Sequence, residues 1–302
     1  MKINLLGSTL ILIAVLVLAL IAAPVIFFAR APVLIVIEES FLPLYGEARI
    51  KAELARSSLS LYRRVKNVTV ADDAGDDLIQ IAASGASKKP FCVIFQLRFA
   101  QAAKFYREQK PEVPVILLEG RYAEDANPSI FGIGRDKNDD YFIYKTDIDA
   151  DFYRAGIAAG LIDEYKNGRI VVFLEPHIRT QARDAFSRAF KEMEKPQQPV
   201  YYTTFSQFST STDITCVVCA GSGAEFMEKT PDVPVIFFSW LSPALIPDDV
   251  ALLFDDSPWV QAVPAARMAA AGVKKGLIPS KIRVLSGKNI DGQTLKKLKK
   301  LR

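Results

Sequence analysis

Short β-branched runs recur along this chain, and each is followed by a polar loop and then a helical stretch. The runs lie at 33–37, 67–70, 91–95, 113–118, 169–174, 200–203, 214–218, 233–238 and 250–254. Most are apolar throughout instead of alternating, the mark of parallel strands covered on both faces. Helical patterns fill the intervals, at 45–65, 76–84, 100–109, 150–166, 179–194 and 258–275. Alternation of this kind folds as a parallel sheet with right-handed crossovers. Nine strands predict two sheets of moderate size in place of one very wide sheet. The roughly 270 residues after the opening segment also exceed what one hydrophobic core usually organises, so two lobes are expected.

The opening segment has a different character. From Leu5 to Ala29 there is no charged residue, and a helix of that length rises roughly 37 Å, enough to cross a bilayer. Two readings stand. The apolar core is long for a cleavable signal, and Ala29-Arg-Ala31 is followed by Pro32, a poor cleavage context, which favours an uncleaved anchor. A cleaved signal is the alternative, and either one sends the body out of the cytoplasm. The expected place is the periplasmic face of an inner membrane, or the periplasm itself if the signal is removed.

Charge is unevenly placed. Residues 288–302 hold six Lys/Arg and one Asp out of a chain whose net charge is +4, so the rest is nearly neutral. A nucleic-acid groove needs a basic face on the folded body, and none is indicated. The tail, with Leu295, Leu298 and Leu301 among lysines, is expected to be solvated and frayed; the alternative is a basic amphipathic helix touching anionic lipid. The three cysteines give no complete disulfide framework. Cys216 and Cys219 fall within one apolar strand and so point to opposite faces, with no second ligand pair to complete a metal site. No Walker A or GxGxxG sequence is present, and Gly221-Ser-Gly223 is too short for either. The single histidine, His177, has no placed Ser or Cys partner. The chain therefore reads as a non-enzyme without a cofactor.

From Asp147 onward the order of elements becomes specific. Asp147 to Gly156 opens a helix that ends at Lys166-Asn-Gly168. A strand at Arg169–Leu174, a loop to Thr180, the helix Ala182–Phe190 and strands at 200–203 and 214–218 follow. This resembles the second lobe of type I periplasmic solute-binding proteins, which are related to lac-repressor-type effector domains and include the basic-membrane-protein nucleoside binders. The departures are Ala185-Phe186 where Gly-Phe is usual, and Arg183 three residues before that Phe. Trp240 within 239–243 and the segment from Leu253 to Trp259 compete for the acidic ligand position, and spacing favours the latter at the last crossover.

The resemblance implies an α/β body of two lobes, each a parallel sheet flanked by helices, behind an N-terminal transmembrane helix. The expected organisation is 1–31 as anchor, 32–146 with 256–278 as lobe 1, 147–255 with 279–287 as lobe 2, and 288–302 as a basic tail. It implies a small polar ligand, of the sugar or nucleoside class, held between the lobes at the C-terminal ends of the strands. The loops there offer Glu38, Phe41, Gln96, Asp147, Arg179, Ser222, Trp240, Asp255 and Trp259. Carboxylates would take the ligand's hydroxyls, aromatic rings its ring face, and Arg179 a pair of oxygens. Asp147 serves equally as a helix cap, and the two tryptophans serve equally as core packing. The implied partner is an ABC permease or a sensor protein. The alternative is a cell-envelope structural or interaction protein that keeps the fold without a transport ligand.

Overall fold

The computed structural model describes residues 13, 22–119, 141–164, 168–174, 179–195, 198–203, 213–220, 233–238, 250–285 and 290–301. Among these residues twelve strands form two six-stranded sheets. The first sheet contains β1 (Val33–Glu38), β2 (Val65–Val70), β3 (Cys92–Gln96), β4 (Val115–Glu119), β5 (Tyr141–Thr146) and β11 (Lys275–Ile278), in the order β11-β5-β4-β3-β1-β2 and parallel throughout. The second contains β6 (Arg169–Leu174), β7 (Val200–Tyr202), β8 (Ile214–Ala220), β9 (Val235–Phe238), β10 (Val250–Asp255) and β12 (Lys281–Val284). Its order is β12-β10-β9-β8-β6-β7, and β12 alone runs antiparallel to its neighbour.

The helices are α1 (Phe41–Tyr45), α2 (Glu47–Leu61), α3 (Asp76–Ala86), α4 (Ala100–Gln109), α5 (Ile148–Ile162), α6 (Arg179–Glu192), α7 (Pro258–Ala270) and α8 (Gly292–Leu298). Each apolar strand feeds two cores. Val33, Ile35 and Ile37 meet Tyr45, Ile50, Trp259 and Ala262 on one face of the first sheet. Leu34 and Val36 meet Ile79, Ala83 and Tyr106 on the other. In the second sheet Ile170, Val172 and Leu174 pack on Phe152, Ala155 and Phe186, while Val171 and Phe173 turn to the opposite side. Cys216 and Cys219 of β8 likewise enter different cores, as residues three apart on a strand must.

Two helices of lobe 2 approach closely. A Cβ on Gly156 of α5 would lie 2.7 Å from Ala189 Cβ and 2.9 Å from the Phe186 carbonyl oxygen of α6, so only glycine permits this crossing. Phe152, Phe238 and Phe254 stack in a column at 4.7 Å spacing and tie α5 to β9 and β10.

The expectation of a frayed or lipid-seeking tail is corrected. Asp291 caps α8 by accepting from the amides of Gln293 and Thr294, and Leu298 is fully buried in the lobe 2 core with Ile290 and Leu301 packed against it. Lys297 Nζ reaches Glu164 Oε2 at 2.5 Å. The leucine spacing therefore covers the protein's own core. At the other end residues 22–29 are helical, while most of the 5–29 segment lies outside the described residues. Among the described residues no helix is long and apolar enough to cross a membrane.

Candidate functional site

The chain passes between the sheets three times: from β5 to α5 at Thr146/Asp147, from β10 to α7 across Asp255–Pro258, and from β11 to β12 across Ile278–Lys281. All three passages leave the C-terminal ends of strands, so those edges of both sheets adjoin the seam. The passages are bonded to one another. Asp147 N donates to the Ile278 carbonyl at 3.0 Å, and Thr146 Oγ1 donates to Asp256 Oδ2 at 3.0 Å. The Ser280 amide donates to Asp151 Oδ1 at 2.9 Å, and its hydroxyl and Arg154 also donate to that carboxylate. Burial pushes the Asp151 carboxyl up to about 6 against the pull of Ser280 and Arg154.

A second set of contacts joins α2 of lobe 1 to β10 and β12 of lobe 2. Arg49 Nη2 lies 2.6 Å from Asp255 Oδ2, and Arg283 Nε lies 2.7 Å from the same oxygen. Arg283 Nη2 also reaches Glu53 Oε1 at 2.8 Å, with Lys281 Nζ 3.4 Å from the other oxygen. Burial pushes the Asp255 carboxyl up, but Arg49 and Arg283 outweigh it and hold the group below the usual carboxylate range. Glu53 is depressed in the same way, its burial overcome by Arg283, Lys281 and Arg56.

The C-terminal edge of the first sheet carries two further ion pairs. Glu38 ends β1 and Gln96 ends the neighbouring β3. Arg98 Nη1 meets Glu38 Oε2 at 2.5 Å, and its guanidinium lies 4.9 Å from the Phe41 ring centroid and 5.0 Å from that of Phe99. Burial outweighs Arg98 here, so the Glu38 carboxyl sits above its ordinary value. Further along the edge, Lys145 Nζ donates to Glu119 Oε1 at 2.8 Å.

Against this geometry the expected residues divide. Glu38, Phe41 and Gln96 share the lobe 1 edge. Asp147 caps α5, its carboxylate accepting from Ala150 N at 3.0 Å. Two expectations are corrected. Asp255 is 0% exposed and committed to two arginines, so its charge is already matched inside the protein. Trp259 is 1% exposed; its Nε1 donates to Asn67 Oδ1 at 2.8 Å and its ring meets Tyr45 edge-on at 4.9 Å, which places it in the lobe 1 core. Arg179 begins α6 but its side chain, like Ser222, Trp240 and His177, lies outside the described residues. Among the described residues no group of three or more His, Cys, Asp or Glu side chains could hold a metal ion.

No protein family's sequence pattern matches this chain, and no curated protein matches it in sequence. Solved structures do match in three dimensions. An ABC transporter periplasmic solute-binding protein from Actinobacillus succinogenes 130z, with bound D-allose, aligns with a TM-score of 0.52 at 13% identity, over 89% of this chain and 100% of that one. A transcriptional activator of the comK gene from Bacillus halodurans aligns with a TM-score of 0.56 at 14% identity, over 89% of this chain and 95% of that one. The chain has the type I periplasmic-binding-protein fold.

At these identities the likeness is one of fold. Within that fold the residues that sequence reasoning missed are Arg49, Glu53 and Arg283. Arg98 follows a strand end and is legible as a loop cation beside Gln96; the other three gain meaning only through partners far away in sequence. Arg49 and Asp255, for instance, are separated by 206 positions.

Proposed function

We propose that this chain is a membrane-anchored, extracytoplasmic solute-binding protein that takes a small polar ligand of the sugar or nucleoside class between its lobes. Uptake through an ABC permease, or delivery to a sensor protein, is the role such an arrangement serves. The observation that carries the reading is the Glu38–Arg98 pair beside Phe41, at the strand edge that adjoins the seam. A carboxylate, a guanidinium and an aromatic face are the groups a hydroxylated ring uses. Gln96 adds a neutral donor and acceptor on the next strand. Asp147, Arg179, Ser222 and Trp240 complete the proposed lobe 2 wall. The anchor is proposed from the uncharged 5–29 segment.

The test is thermal unfolding of the full chain against a panel of sugars and nucleosides. A ligand at a hundred times its dissociation constant should add about 2.7 kcal/mol, a shift of several degrees. Arg98→Ala should abolish the shift while leaving the unliganded chain folded.

A second reading has its own support. The carboxylates of Glu38, Asp147 and Asp255 are each bonded within the protein. A flat response across the panel would favour an envelope interaction protein that retains the fold without a transport ligand.

A further inference from the structure

We propose that the pole of lobe 1 where the strands begin docks on the anionic headgroups of the bilayer that holds residues 5–29. The inference rests on the anchored reading above and adds a surface to it.

The first sheet is electrically polar along its strands. The loops entering β1, β2, β3, β4 and β11 lie at 30–32, 62–64, 87–91, 110–114 and 271–274. These five loops carry Arg30, Arg63, Arg64, Lys88, Lys89 and Lys274 against one carboxylate, Glu112; the loop entering β5, which ends in Asp139-Asp140, lies outside the described residues. Lys110, also in these loops, turns back onto the carbonyls of Ser84, Ser87 and Lys88. The opposite edge carries Glu38, Glu39, Asp72, Asp73 and Glu119 against Arg98 and Lys145, which pair with Glu38 and Glu119. Among the described loops, cations are therefore in excess on the end of lobe 1 remote from the seam.

That same end receives the apolar segment. Residues 22–29 are seated on it by an aromatic cluster: the Phe27 and Tyr62 rings lie 5.9 Å apart, and Tyr62 Oη donates to the Ala23 carbonyl at 3.2 Å. The Arg30 guanidinium sits 4.8 Å over Tyr62, and that of Arg63 4.0 Å over Phe91. Tyr62 adopts a left-handed conformation (φ 51°) as the C-cap of α2, which is costly for a residue with a Cβ. Beside these cations Val25 is 63% exposed, Phe28 62% and Leu59 73%.

Aromatic and basic side chains at headgroup depth, with large aliphatic and phenyl groups reaching past them, is the composition of a bilayer interface. Nucleic-acid phosphates would accept the cations but would leave Val25, Phe28 and Leu59 in water. A lipid surface accommodates both sets of groups, and the apolar segment leads directly into it.

The three native cysteines are buried, so a thiol introduced by Leu59→Cys can carry a polarity-sensitive fluorophore on the full chain. Asp73→Cys on the acidic edge is the control. The chain is reconstituted in vesicles of zwitterionic lipid, with and without added phosphatidylglycerol, and exposed to neutral aqueous acrylamide. The label at 59 should be protected only with the anionic lipid and should become accessible in high salt, while the label at 73 stays accessible throughout. Each cation near an anionic surface is worth roughly a fivefold bias, so Lys88→Gln with Lys89→Gln should weaken docking on the order of 30-fold.

Equal quenching at 59 in both lipids would overturn the inference. Protection that tracks protein density would assign the face to a second copy, and protection that requires added nucleic acid would assign it there; either overturns it. Flotation of the same vesicles separates the two readings. A chain that floats with position 59 still accessible loses the docking and keeps the anchor, whereas one that does not float loses both.

Discussion

Replacing Asp255 with alanine should cost the protein more than almost any other single change at the seam. Its carboxylate is fully buried and accepts from Arg49 at 2.6 Å, Arg283 at 2.7 Å and the Ser257 amide at 3.1 Å. Removing one member of a buried ion pair costs about 3–5 kcal/mol, chiefly because the other charge is left without its counter-ion. Arg283 keeps Glu53 at 2.8 Å, so the lower end, about 3 kcal/mol, applies here. For a body of this size each kcal/mol is worth roughly 2–4 °C, giving a fall on the order of 10 °C in thermal unfolding followed by circular dichroism. The change has a pH signature as well. A carboxyl held below its unfolded value stabilises above that value, near pH 4, and the contribution is lost as pH falls through the folded pKa. The Asp255→Ala chain should therefore lose part of the native acid sensitivity below about pH 4. Adding Arg49→Met removes the cation whose ion pair was with Asp255 and should restore more than half of the stability. A single-variant loss under about 1 kcal/mol, well short of the buried-pair range, would refute the reasoning, as would a double variant weaker than Asp255→Ala alone.

Two further outcomes are expected. Asp151, raised to about 6 by burial, stabilises the fold below its unfolded value, and that contribution disappears as pH climbs through about 6; Asp151→Asn should flatten the stability profile over that interval in urea titrations at stepped pH. Leu298→Ala should cost about 2–5 kcal/mol in urea unfolding and make residues 290–301 readily cleaved by protease, because the side chain is wholly enclosed in the lobe 2 core; an unchanged midpoint would return α8 to solvent.

How much was legible follows from which signals are local. Central parallel strands such as β1, β3, β4 and β8 announce themselves as unbroken apolar runs because both faces are covered. The edge strands do not. β11 and β12 are four residues each, both begin with lysine, and the side chains of β11 are largely exposed. β5 follows a charged stretch that reads as a turn. The helix expected from residue 45 starts at Glu47 because Gly46, at φ 74°, breaks it from α1. At the site, strand ends could be enumerated but their pairing could not. Nothing near Asp255 or Trp259 in sequence indicates that arginines or an asparagine from other elements satisfy them. The tail misled because a leucine every third residue among lysines fits a lipid surface and a protein core alike.

The order in which the strands arrive has a consequence for synthesis. Until Lys275 emerges, β5 and β10 each present an unpaired edge, because β11 and β12, which cover them, follow the other described strands in sequence. An exposed parallel edge is a template for association with other chains. Neither sheet can close as its own half leaves the ribosome or the export channel; both close within the single stretch 275–284. A nascent chain stalled before Lys275 would thus hold two open sheets at once, and its demand for a holding chaperone should end abruptly when that short stretch emerges.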